Sequence, residues 1–291
     1  MLRSILRPAR RILVTALLGG LLGATLVRLS PGFGVDEREL DSRLSAESQQ
    51  AIRSEHARDS NVVLFYARYL GGMLRGDLGF SRSLNRPVSE LLKERLPVTL
   101  GSLAYGVLGG IAIGFGLALL ATWWRSPGVD LLPSILSGLC LALPAAVIAL
   151  AFLWMGTGGR WAIALVVFPH VYRYARNLLA ATYQSPHVLA AEAKGLTHGR
   201  LMWAHVVAPS GPQLAALAGI SVSLAFGASI PIEVICDTPG IGQLVWKAAM
   251  DRDLPLLVNI TTLVALMTLA ANSLADLALA SWSPSRQEVA A

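Results

Sequence analysis

Charge is what this sequence has least of. Asp, Glu, Lys and Arg make up 14% of its 291 residues, where soluble domains carry about 25%. With 54% hydrophobic residues and a mean hydropathy of +0.56, that deficit excludes a water-soluble globular core and points to lipid as the solvent. Lysine is scarcer still: Lys93, Lys194 and Lys247 are followed by Glu94, Gly195 and Ala248. A phosphate-binding loop needs Gly-Lys followed by Ser or Thr, so the chain does not grip ATP by that device. Cys140 and Cys236 stand far apart and give neither a disulfide framework nor a metal spacing. None of the histidines forms His-Glu-x-x-His. His198 and His205 are about two helical turns apart but have no carboxylate or cysteine beside them, so no metal site is expected. There is no Gly-x-Ser-x-Gly elbow and no paired nucleophile and base within the apolar runs, so no catalytic residue is assigned. The net charge of +6 is not gathered into a basic stripe interleaved with aromatics, which argues against nucleic acid. In a membrane protein such an excess marks cytoplasmic ends.

What is present is a series of apolar runs, each close to the ~20 residues needed to cross a bilayer. Residues 1–11, with Arg3, Arg7, Arg10 and Arg11, read as a cytoplasmic N-terminus, and 12–29 as a retained first transmembrane helix. The run ends in Arg-Leu-Ser-Pro-Gly, a helix stop rather than a cleavage site. Residues 30–95 form an outer segment, balanced in charge, in which Val62, Tyr66, Tyr69 and Met73 recur at helical spacing and predict an amphipathic helix. Residues 96–282 are read as a five-helix core. Its spans cover 96–124, 131–159 with a kink at Pro144, 161–183, roughly 213–235, and 254–275, and a tail follows at 283–291. The expected fold is thus an all-α membrane protein of six transmembrane helices with both termini cytoplasmic.

Three polar places interrupt this pattern. Arg173 and Arg176 lie within the fourth span, where ionisable groups are costly and usually face a cavity, so they are candidates for the lining of a pathway or its mouth. The loop 236–255 contains Pro239, Gly240 and Gly242, and its apolar Leu244, Val245 and Trp246 suggest a piece tucked back against the bundle. Between the fourth and fifth spans lies segment 184–212, whose centre is Leu189-Ala190-Ala191-Glu192-Ala193-Lys194-Gly195-Leu196. A good helix former, a glycine stop and a second helical stretch predict a helix–turn–helix on the cytoplasmic side, suited to docking another protein.

Four stretches together resemble one family. They are Gly72-Met73-Leu74-Arg75-Gly76-Asp77-Leu78-Gly79-Phe80-Ser81; Arg86-Pro87-Val88 with Glu94-Arg95-Leu96-Pro97-Val98-Thr99-Leu100; Ala193-Lys194-Gly195-Leu196 with His205; and Pro239-Gly240-Ile241-Gly242 with Arg252-Asp253-Leu254-Pro255. In that order the chain resembles the inner-membrane permease subunits of bacterial binding-protein-dependent ABC importers for dipeptides, oligopeptides or nickel. The resemblance implies the type I importer permease architecture in the bacterial inner membrane. It implies as partners a second, homologous permease subunit, two ATP-binding subunits and an external substrate-binding protein. It implies no cofactor in this chain, with ATP and Mg²⁺ held by the ATP-binding subunits. Ala190, Ala191, Glu192, Ala193, Lys194, Gly195 and Leu196 then correspond to the ATPase-coupling helix, and Pro239, Gly240, Gly242 and Trp246 to an outer gate or a docking surface for the binding protein. Ala190, Ala191 and Gly195 match the family's Ala-Ala-x-x-x-Gly core, although Leu189 stands where the family has Glu. Two other readings fit a membrane protein of this size: an ion-gradient-driven transporter and an integral membrane enzyme. The former usually shows broken helices repeated in two halves, and no clear internal repeat is present.

Overall fold

The computed structural model describes residues 25, 71–72 and 75–281. The expected first transmembrane helix, most of the amphipathic helix of the outer segment and the tail lie outside the described residues. The chain divides into two compact units, Met1–Leu96 with Leu244–Leu266, and Pro97–Gln243 with Met267–Ala291.

The described elements are nearly all helical. A two-residue ladder, β1 (Phe80–Ser81) with β2 (Arg86–Pro87), is the exception to the all-α expectation. Its turn closes through Asn85 at φ 52, a left-handed conformation that Asn tolerates better than most residues. Then come α1 (Val88–Trp124), α2 (Pro127–Ala142), α3 (Ala145–Trp154) and α4 (Gly159–Tyr183). They are followed by α5 (Pro186–Ala193), α6 (His198–Ile235), α7 (Ile241–Met250) and α8 (Leu254–Ser281).

In the first unit the hairpin is tied to the start of α8 by a single carboxylate. Asp253 Oδ2 accepts from Ser81 Oγ at 2.6 Å and from the amide and hydroxyl of Ser83 at 3.0 Å each. Its Oδ1 accepts from Leu256 N at 3.2 Å, an N-terminal cap. Asn259 Nδ2 adds a bond to Leu78 O at 2.8 Å. The first and fourth of the sequence stretches therefore meet in space.

In the second unit α4 is the buried centre. Gly106, Gly110 and Gly114 of α1, one every four residues, let its backbone lie against Ile163, Val167 and Val171 of α4. Small residues serve close helix packing in lipid in this way. The expected kink at Pro144 is a full break: Leu143 is extended (φ −90, ψ 128), as a residue before proline is pushed to be, and α2 and α3 meet at 104°. The fifth span begins earlier than expected. The expected start near Gln213 lies inside α6, which runs unbroken from His198 through a π-helical stretch, Leu201–Val207. Loop 236–255 contains the ten-residue α7 rather than irregular chain. Within the second unit, Ser223 Oγ of α6 donates to Asn272 Oδ1 of α8 at 3.0 Å.

Among the described residues α1, α6 and the 255–273 part of α8 are long and apolar enough to cross a membrane, and the bent α2–α3 pair makes a fourth if it is one span. The protein is a multi-pass membrane protein on this ground. At 37 residues, α1 is about 55 Å long, well beyond the ~30 Å of hydrocarbon.

Candidate functional site

The helix, glycine stop and second helix expected in 184–212 are all present. Pro186 opens α5 at its first turn, where a missing N–H costs nothing. Gly195 closes it at φ +77, in the left-handed region that glycine enters without penalty. Lys194 N and Gly195 N return to the carbonyls of Ala190 and Glu192 at 3.3 and 2.9 Å, which satisfies the helix end. Val188 and Ala191, three apart, are buried, while Leu189, Ala190, Glu192, Ala193 and Lys194 are exposed. The short helix thus has an inner face that packs and an outer face, small and lightly charged, that is exposed among the described residues. Of the seven residues expected to meet a partner, Ala191 faces inward and Leu196 is half-buried; the other five are exposed.

Both ends of this segment are anchored. At the far end His198 Nε2 lies 3.2 Å from Trp123 O, with its ring edge-on to Trp123 at 4.9 Å. Arg125 covers the Tyr183 ring at 4.5 Å. At the near end His187 Nε2 reaches His205 O at 3.1 Å. The inner face rests on Leu201, Met202 and Val206, all buried, and α5 packs on the π-helical stretch that holds them.

Arg173 and Arg176, the pathway candidates, part company. Arg176 is paired with Asp130 in the first turn of α2, Nε at 3.2 Å from Oδ1 and a second bond from NH2 to Oδ2. Tyr172 donates to the same Oδ1 at 2.5 Å. Arg176 therefore fastens α2 to α4. Arg173 is exposed. The sequence reading placed Asp130 in a turn and gave it no role; nothing in the sequence signals a partner 46 positions away.

The Pro-Gly-Ile-Gly stretch is organised around a residue that sequence reasoning treated only as the outer end of a span. Glu233 is 1% exposed. Its Oε1 accepts from Thr99 Oγ1 at 2.8 Å and its Oε2 from Gly242 N at 2.6 Å, and the Gln243 backbone also donates to it. Thr99 Oγ1 in turn accepts from Ile241 N at 2.7 Å. Carboxylate and hydroxyl together cap the first turn of α7. Gly240 and Gly242 press on the Glu233 carboxyl so closely that a Cβ at either would collide with it. These two glycines are thus spent on the carboxylate, while Trp246 of α7 is 49% exposed. The signal available in sequence was an acidic residue inside an otherwise charge-free run, seven before a Gly-x-Gly pair.

Comparison with known proteins gives the chain's relatives. The profile of the family described as the inner membrane component of binding-protein-dependent transport systems matches residues 106–286. A Brucella suis protein carrying a peptide permease name is 27% identical over 302 residues, 92% of this chain and 95% of its own length. A Sinorhizobium fredii protein named a peptide ABC transporter permease is 24% identical over 300 residues, with the same coverage of 92% and 95%. A Staphylococcus aureus protein named a nickel import system permease is 23% identical over 292 residues, 95% of this chain and 89% of its own.

Proposed function

The chain belongs to the family of inner membrane components of binding-protein-dependent transport systems, it is a permease subunit of an ABC importer, and from that premise we propose how it works. It forms half of a translocation pathway with a second, homologous permease subunit. Two ATP-binding subunits hold ATP and Mg²⁺ and dock on the segment around α5, and an external binding protein delivers the cargo. The cargo is a peptide, or a small solute such as nickel, as the names of the relatives suggest. Six spans complete the bundle: residues 12–29, α1, the α2–α3 pair, α4, α6 and α8. The arginine-rich residues 1–11 support a cytoplasmic N-terminus, which with six spans puts α5 and the C-terminus on the same side.

The observation that carries this reading is the two-faced α5, packed within through Val188 and Ala191 and bare without at Leu189, Ala190, Glu192 and Ala193. Nucleotide biases the inward-open and outward-open arrangements only through a difference in affinity for them. The element that meets the ATPase must therefore transmit displacement without yielding. Gly195, at φ +77, ends α5 and sets its angle to α6. Valine there is strained by about 1–2 kcal/mol and resolves the strain by turning the helix end. Gly195→Val is expected to abolish binding-protein-stimulated ATP hydrolysis and uptake in the assembled complex, while Gly195→Asn, which tolerates this conformation, keeps most of both. Normal uptake by the valine variant refutes the reading.

The binding protein is proposed to dock at α7, where the half-exposed Trp246 offers an aromatic anchor. Trp246→Cys is expected to cross-link to a binding protein bearing cysteines on its docking face. A scan of the exposed α7 positions that yields no cross-link rules this surface out.

A further inference from the structure

His187 has a partner that the sequence itself creates. In an α-helix the carbonyl of His205 would accept from the N–H of residue 209. Residue 209 is proline and has no N–H to give. The helix answers locally by widening: Leu201–Val207 is π-helical, with Ala208 N bonded to Trp203 O, five residues back. Such widened turns recur at functional sites. The His205 carbonyl, without its α-helical donor, is met from outside by His187 Nε2 at 3.1 Å.

The ring is held for this task. A carbonyl can only accept, so Nε2 must carry the proton, and Nδ1 faces Ser185 Oγ at 2.9 Å. That hydroxyl is itself 2.6 Å from Thr182 O, at the last turn of α4. Whether or not Nδ1 is also protonated, Nε2–H points at His205. Beside it Thr182 Oγ1 and Ser210 Oγ lie 3.1 Å apart, each donating within its own helix, to Leu178 O at 2.9 Å and to Val206 O at 2.8 Å. The connection through His187 crosses from the start of α5 to the widened turn of α6.

We propose that His187 is a positioning residue that makes α5 and α6 one lever, its Nε2–H clasping the carbonyl that Pro209 sets free. The proposal rests on α5 being the element that meets the ATPase. Displacement of α5 then reaches α6 through a directional polar link as well as through the apolar contacts of Val188 and Ala191. Those contacts are non-directional and permit sliding; the clasp prevents it.

Three variants at one position separate the clasp from mere bulk. Gln places an N–H where Nε2 stood, Asn places one where Nδ1 stood, and Leu provides volume alone. In the purified chain, His187→Leu and His187→Asn are expected to raise amide exchange across 187–193 about fivefold, roughly the worth of one net hydrogen bond, and His187→Gln to leave it unchanged. In the assembled complex in proteoliposomes, solute taken up per ATP hydrolysed falls with Leu and Asn and is kept with Gln. Pro209→Ala supplies the missing N–H, so the Leu penalty shrinks in that background, a non-additivity that a merely bulky residue does not show. Gln behaving like Leu, or additive effects with Pro209→Ala, overturns the clasp. Raised exchange with an unchanged transport ratio overturns its part in coupling. Leu189→Arg, on the bare face of α5, tests the underlying reading separately: if it leaves ATPase assembly and uptake intact, the docking role of α5 fails whatever the His187 variants do.

Discussion

Replacing Glu233 by alanine is expected to unfasten the stretch from Gly240 to Gln243. Three donors converge on this carboxylate, Thr99 Oγ1, Gly242 N and the Gln243 backbone, and the side chain is almost wholly enclosed. Each buried donor left without an acceptor costs about 1–3 kcal/mol. Glu233→Gln is expected to fall between wild type and alanine. Its carbonyl oxygen can keep Gly242 N, but its amide then points at Thr99 Oγ1, which already accepts from Ile241 N at 2.7 Å. The hydroxyl proton of Thr99 loses its acceptor, a loss of a single pairing. Gly240→Ala should reproduce the defect from the other side, because a methyl there collides with the carboxyl group. Amide exchange at 240–243 is the direct measure, in the order wild type, Gln, Ala. Wild-type protection in the alanine variant contradicts the assignment of Glu233 as the acceptor that builds the turn.

The same carboxylate shows where sequence reading reached its limit. An acid within a charge-free run is costly, yet Glu233 read only as the outer end of a span. Its donors come from residue 99 and from residues 240–243, and no periodicity links them. Asp130 and Arg176 have the same character. The arginine stood out because it interrupts a span, but its partner lay in what read as an ordinary turn. Local chemistry was legible by contrast. Pro144 had to disturb its helix because the ring fixes φ and constrains Leu143, although the 104° of the break depends on the packing of α2 and α3. Gly195 had to end α5 because the residues before it are strong helix formers. Pro209 and Pro212 each remove a backbone donor from α6 without ending it. One turn of π-helix absorbs the loss, which a count of propensities does not foresee. In loop 236–255 the glycines and prolines hid Ile241, Leu244 and Ala248, a buried helical stripe spaced three and four apart. Of the seven residues expected to couple, Ala190 to Ala193 lie on α5 and Lys194 to Leu196 just past its end, and which of them face outward depends on the register of α5 against the widened turn of α6.

A pair of identical substitutions two residues apart in α1 separates packing from propensity. Glycine to alanine gains up to about 1 kcal/mol of helix propensity at either site. At Gly116 a methyl group meets nothing within 4 Å, so Gly116→Ala is expected to be neutral or slightly stabilising. At Gly114 the methyl would stand 2.7 Å from Phe168 O, 2.8 Å from Val171 Cβ and 2.9 Å from Tyr172 N. Two of these three atoms belong to the backbone of α4 and cannot rotate away. The helices must separate, and overpacking of this kind costs about 1–3 kcal/mol, against the propensity gain. Tyr172 moves with its backbone, and its hydroxyl is the 2.5 Å donor to Asp130. Gly114→Ala should therefore also loosen the Asp130–Arg176 pair, and Asp130→Asn should cost less in that background than alone. Thermal unfolding of the purified protein in detergent gives all four values. Equal tolerance at 114 and 116 means that α1 and α4 are not held backbone to backbone, and the glycine stripe at 106, 110 and 114 then lacks the role that its spacing suggests.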